Sequence, residues 1–137
     1  MASFLAEGLT LEVITSSAHY ESRAHGVRPL LELLQSGVNV QGATLFDRVS
    51  GKAAALLYVR LGIKAVKTDL ISEAALAFLL AQGIDVIYTR KVPVILNHER
   101  SDFCPLEKAT LTLSSPEEAV GVILATVKTL QASAGKK

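Results

Sequence analysis

The chain has 137 residues, which fits one domain and hardly allows two, and half of them are hydrophobic, so a core can form without disulfide or metal staples. Its 14 Lys and Arg against 13 Asp and Glu leave a formal net charge of +1, and the basic residues are scattered, which argues against the clustered footprint of a nucleic-acid binder. The single cysteine, Cys104, excludes an intramolecular disulfide, and the longest apolar stretch, Ala53 to Val59, is far too short to cross a membrane.

The expected elements follow in chain order. Ala2 to Gly8 reads as a helical turn, stopped by its glycine. No signal peptide is read there, because Phe4 and Leu5 are followed at once by Glu7 and Gly8; a cytoplasmic location is the expectation. Leu11 to Thr15 has strand character, Ser16-Ser17 turns the chain, and Ala18 to Ala24 returns as the hairpin partner. Gly26-Val27-Arg28-Pro29 opens a helix whose buried face is Leu30, Leu31, Leu33 and Leu34, and Gly37 stops it.

Gly42 to Phe46 is a short strand, and Asp47 to Lys52 reads as a turn into a second helix, Ala53 to Arg60, capped by Asp47 or Ser50. Ile63 to Thr68 is the next strand, Ser72-Glu73 starts a helix through Ala81, and Gly83 ends it. Ile84 to Thr89 and Val92 to Leu96 are extended runs. Cys104-Pro105-Leu106-Glu107 reads as a short helix start with Glu107 completing a local capping pattern, and Ser115-Pro116-Glu117-Glu118 starts the last helix, through Leu130. Residues 131–137 read as a disordered tail.

Strands alternating with helices imply parallel pairing, with the opening hairpin antiparallel. The expected fold is a single α/β domain over residues 1–137, a three-layer α/β/α arrangement around a mixed sheet of about five strands.

Several blocks carry a resemblance: the hairpin into Glu21-Ser22, Gly26 to Leu31, Asp47 to Ala55, Ser72 to Ala75, Val92-Pro93 with Asn97, and Cys104 to Glu107. Together, from about Leu11 to Glu118, they are similar to an uncharacterised prokaryotic family, domain-of-unknown-function family 1893. Arg48 departs from its pattern, which commonly has lysine there. The resemblance implies a cytidine-deaminase-like fold and assigns no reaction.

Zinc deaminases hold their metal with one His or Cys and two further Cys, and move protons with a Glu. The corresponding helix starts fall here near His25-Gly26, which lacks His-x-Glu, and near Ser50-Gly51-Lys52, which lacks cysteine. No zinc-dependent deamination, no metal and no cofactor are therefore expected. What remains is a crevice between two helix N-termini, where free N–H groups favour anions. The function read from it is binding of a small anionic ligand, nucleotide-like or phosphorylated, through Arg28, Asp47, Gly51 and Lys52. Alternatively Asp47 caps, Gly51 fits a turn and Lys52 is solvated. Whether the protein is an enzyme stays open; Cys104, His25 and Asp47 are the catalytic candidates, each with a structural alternative. Cys104 is either a nucleophile or a small buried hydrophobe. His25 is an acid–base group or a loop hydrogen bonder. The competing reading is a non-catalytic module that forms a homo-oligomer, since its leucine- and alanine-rich helices exceed what one small core covers. Neither a nucleic acid nor a membrane is an expected partner.

Overall fold

The computed structural model describes residues 5–23, 27–95 and 105–135. β1 (Leu11–Ile14) and β2 (His19–Ser22) form the hairpin. Thr15 closes it twice: its N–H donates to the Ala18 carbonyl at 2.9 Å, and its hydroxyl accepts from the Ala18 N–H at 2.8 Å. α1 (Arg28–Ser36) opens with Pro29 in its first turn and ends at Gly37, whose φ of 75° suits a residue without a β-carbon. There follow β3 (Thr44–Ser50), α2 (Lys52–Leu61), β4 (Ala65–Ser72), α3 (Glu73–Ala81), β5 (Asp85–Val92), α4 (Pro105–Thr110) and α5 (Pro116–Gly135).

The sheet order is β2-β1-β3-β4-β5. β1 is antiparallel to both neighbours, whereas β3, β4 and β5 run parallel. The crossovers from β2 to β3, β3 to β4 and β4 to β5 all step the same way along the sheet. Right-handed connections therefore bring α1, α2 and α3 to one face. That face carries the buried Leu11, Val13, Leu45 and Val66; on the other, Ile14 is 40% and Ile87 53% exposed. α5 packs on α2 and α4. The five-stranded mixed sheet and its antiparallel hairpin are as expected from the sequence, and the three layers stack in the order sheet, α1–α3, α5.

α2 lies between the sheet and α5, and it is buried without a break from Lys52 to Tyr58. Its Ala53-Ala54-Ala55 run keeps the side chains small where neighbours press from every side. The sequence gives α2 no polar face because it has no solvent side over those residues.

Three boundaries differ from the sequence reading. β3 continues through Asp47 to Ser50, a segment whose composition reads as a turn, because Val49 and Ser50 pair with Leu70 and Ile71 of β4. Arg48 anchors this extension: its side chain donates to the Leu9 carbonyl at 2.5 Å and the Ala6 carbonyl at 3.1 Å, and it lies 3.6 Å from Asp69. β5 is one strand to Val92 instead of ending at Thr89. α5 runs on to Gly135, since Gln-Ala-Ser-Ala after Leu130 contains no breaker. The helical turn expected over Ala2 to Gly8 falls partly outside the described residues.

Candidate functional site

The carboxyl ends of β3 and β4 deliver the chain into the N-termini of α2 and α3, two sets of backbone N–H groups side by side. Ser72 caps α3, its hydroxyl accepting from the Ala75 N–H at 3.2 Å. α2 is capped differently. Its N-cap residue is Gly51, with no side-chain cap from its own segment. The carboxylate of Glu107, from α4, takes that place: Oε1 accepts from the Lys52 N–H at 2.6 Å and from the Ser72 hydroxyl at 3.4 Å. Oε2 accepts from the Ile95 N–H at 2.8 Å. Glu107 is 2% exposed.

The helix starts that Glu107 joins are those of α2 and α3, not those of α1 and α2 where the sequence reading put an anion crevice, and an internal carboxylate takes the place of an outside anion there. Two further sequence expectations are corrected. Asp47 and Ser50 do not cap α2, because both are engaged inside the strand layer. Glu107 reaches across to the start of α2, to the Ser72 cap of α3 and to Ile95, just beyond β5, instead of back onto its own helix start.

Gly51 explains the close approach. A β-carbon there would lie 3.4 Å from Glu107 Oε1 and 3.3 Å from Ile95 Cγ1. Lys52 points inward rather than to solvent. It is 7% exposed, its Nζ donates to the Leu111 carbonyl at 3.1 Å, and it stands 5.1 Å from the Phe78 ring centre. Burial pulls its pKa below the usual lysine value, and attraction to Glu107 offsets part of that.

Beneath this junction of helix starts runs a chain of hydroxyls. Tyr58 Oη contacts Asp47 Oδ2, Ser50 Oγ lies 2.8 Å from Tyr58 Oη, Ser50 reaches Thr68 Oγ1 at 2.9 Å, and Thr68 donates to the Leu70 carbonyl at 3.1 Å. These contacts need a hydrogen each, yet Tyr58, Ser50 and Thr68 supply one apiece. Tyr58 donates to Asp47, Ser50 to Thr68 and Thr68 to the Leu70 carbonyl, which leaves the Ser50–Tyr58 contact without a hydrogen; a proton on Asp47 would free the Tyr58 hydrogen for Ser50. Electrostatics agree: burial raises the Asp47 pKa from 3.8 to about 7, against the lowering effect of its bonds to Tyr58 and to the backbone of Arg48 and Val49. Burial, with Asp47 beside it, pushes the Tyr58 hydroxyl above its ordinary value. A neutral acid at one end of aligned hydroxyls can give up or receive a proton without leaving a buried charge unpaired.

Of the other sequence candidates, Arg28 is exposed at the first position of α1, with no partner among the described residues. Its helix has no side-chain cap there and no acid in its first turn. His25 and Cys104 lie outside the described residues, as do Asn97 to Arg100. The structure brings Asp47, Gly51 and Lys52 into neighbouring positions, but each serves a different internal partner. Sequence reasoning missed the roles of Tyr58, Thr68 and Glu107. Tyr58 left a signal, being the one polar tip in the buried run Ala53 to Val59, where a hydroxyl must find a partner.

Open depressions lie elsewhere. One of about 470 Å³ separates β2 from α1 and is lined in part by Tyr20, Glu21, Ser22, Pro29 and Glu32. Another of about 540 Å³ lies between the C-terminal ends of α1 and α2, around Asn39, Gln41 and Arg60. Neither is lined by Asp47, Lys52 or Glu107.

The mixed sheet and the paired starts of α2 and α3 define an α/β protein in which a glutamate joins the two helix starts. The family model described as "Domain of unknown function (DUF1893)" matches residues 2–126, and the chain belongs to that family. It is similar to a solved DUF1893 family protein from Thermotoga maritima, with 29% identity over 85% of this chain and 80% of that one, and a TM-score of 0.78. It is also similar to dCMP deaminase from the cyanophage S-TIM5, at 17% identity over 61% of this chain and 79% of that one, with a TM-score of 0.43. A diaminohydroxyphosphoribosylaminopyrimidine deaminase/5-amino-6-(5-phosphoribosylamino)uracil reductase from Thermotoga maritima gives 18% identity and a TM-score of 0.47. That match covers 76% of this chain and 34% of the larger protein. No curated protein matches the chain. No described helix is long and apolar enough to cross a membrane.

Proposed function

We propose that the protein binds a small anionic ligand, nucleotide-like or phosphorylated, at the end of the sheet from which α1 and α2 start, with the exposed Arg28 as its cation and Asp47 of β3 as a neutral acid. The observation that carries this reading is the burial of Asp47 at the end of the hydroxyl chain, which raises its pKa to about 7 and supports a neutral acid there, because an anion can settle near a carboxylic acid but is repelled by a carboxylate. Gly51 and Lys52 contribute from within by holding the start of α2 in place: the Lys52 N–H donates to Glu107 and its ammonium group ties α2 to Leu111.

Thermal denaturation with sulfate, nucleoside monophosphates and sugar phosphates tests it. The expected result is a higher Tm with phosphorylated compounds and a larger shift at about pH 6 than at about pH 8, with sulfate as the anion of constant charge. Arg28→Ala should remove the shift and leave the unliganded Tm unchanged, since Arg28 is exposed. Lys52→Ala should lower the unliganded Tm, by the equivalent of about 1–3 kcal/mol, because it strips a buried contact. If no anion raises the Tm at either pH, the ligand reading fails.

A second reading, self-association, is favoured by the sheet face that carries Ile14 and Ile87 half exposed. Two copies stacked through it would bury these side chains, with Glu12 and Glu21 on one edge and Lys67 on β4 available for opposite-charge pairing. A mass in solution that stays that of one chain at all concentrations counts against it.

A further inference from the structure

On that same open face the hairpin assembles a second set of chemistry-bearing side chains. Glu12 of β1 stands directly opposite Glu21 of β2, and His19 stands two residues from Glu21 on the same strand. Side chains two apart on a strand share a face, so all three project to the side away from α1–α3. Their donor atoms lie within 4.8 Å of one another. His19 Nε2 is 2.6 Å from Glu12 Oε2 and 4.0 Å from Glu21 Oε2.

Like charges facing each other across a strand pair cost stability unless something positive sits between them. Among the described residues no lysine or arginine forms an ion pair with Glu12 or Glu21; only the imidazole of His19 is there. Donors that share a zinc ion at about 2.1 Å stand roughly 3.0–3.4 Å from one another at octahedral to tetrahedral angles. The two observed separations bracket that spacing, so small side-chain rotations suffice. The frame is also fixed: Thr15 pins the hairpin turn, and the register is set by four paired positions.

We propose that Glu12, His19 and Glu21 form a binding site for a divalent first-row metal ion, with zinc as the preferred occupant. Imidazole nitrogen with two carboxylates is a donor set that suits zinc, cobalt and manganese and leaves calcium a poor fit. Three protein ligands leave at least one coordination position for water. Glu21 and His19 are about half exposed, so the ion enters from solvent without opening the core. The site is distinct from the Asp47 and Glu107 constellation, which lies on the other face of the sheet.

Cobalt(II) titration of tag-free protein, followed by visible absorption and by competition with zinc, tests the proposal. One equivalent should bind per chain and be displaced by zinc. His19→Ala and Glu21→Gln should each weaken binding by more than about tenfold, and far-UV circular dichroism of both variants should match the parent. Asp85→Asn, at the opposite edge of the sheet, should bind as the parent does. Absence of binding up to millimolar metal overturns the site. So does binding that survives in the doubly substituted His19→Ala, Glu21→Gln chain, which would place the ion elsewhere.

Discussion

Replacing Glu107 with alanine should lower the unfolding free energy by about 3–5 kcal/mol, the range for stripping one partner from a buried charged interaction, and the Tm by roughly 10–20 °C. The carboxylate is the shared acceptor for the Lys52 N–H, the Ile95 N–H and the Ser72 hydroxyl. Without it these donors remain inside, and each unsatisfied buried group costs about 1–3 kcal/mol. Lys52 also loses the negative charge that favours its protonated form. Glutamine should rescue only part of the loss. Its oxygen can serve Lys52 or Ile95, but its amide nitrogen then faces the other N–H, donor against donor. The order parent, Glu107→Gln, Glu107→Ala in urea denaturation checks the argument; equal midpoints for parent and alanine variant would contradict it.

The second large effect is a pH dependence centred on Asp47. Its folded pKa of about 7 lies above the unfolded value of 3.8. Between those values the folded chain keeps a proton that the unfolded chain has released. Stability therefore falls as pH rises from about 4 to about 7 and levels off above that, by up to about 4 kcal/mol for a shift of this size. Asp47→Asn should abolish this slope. An asparagine amide can donate to Tyr58 as the protonated acid does, while its carbonyl still accepts from the backbone of Arg48 and Val49. The variant should match the parent near pH 4 and be more stable by about 2–4 kcal/mol near pH 8. A variant less stable than the parent at pH 8 would mean that Asp47 is held as a carboxylate. The proposed ligand obeys the same sign, because an anion beside Asp47 binds more tightly when the acid keeps its proton.

Much of the fold is local in origin and was legible as such. Pro29, Gly37, Ser72 and Ser115 act on backbone groups a few residues away. The starts of α1 and α3, the end of α1 and the Ser115 contact to the Glu118 N–H can therefore be read from the letters. The extension of β3 was hidden because Asp47-Arg48-Val49-Ser50-Gly51 has turn composition, and only pairing with β4 overrides it. The order of the layers was hidden too, since it follows from the direction in which strands are added, which alternation alone does not state.

For the site, sequence reasoning singled out Asp47, Gly51 and Lys52, but it paired the start of α2 with that of α1 where Glu107 joins it to α3, and it assigned their partners to the nearest neighbours. The true partners are distant. Glu107 lies 55 positions from Lys52, and Thr68 lies 18 from Ser50. No local pattern distinguishes a glutamate that turns back onto its own helix from one that reaches into another. The hydroxyl chain could be anticipated only at Tyr58.

Asp47 as a neutral acid at the head of that chain underlies both the pH dependence and the proposed anion binding. The most direct measurement is a carbon-detected NMR titration of its side-chain carboxyl, assigned with Asp47→Asn. A midpoint near 7 is the predicted result. A midpoint near the ordinary aspartate value, about 4, would show a carboxylate there and contradict both the proton count and the anion-binding reading built on it.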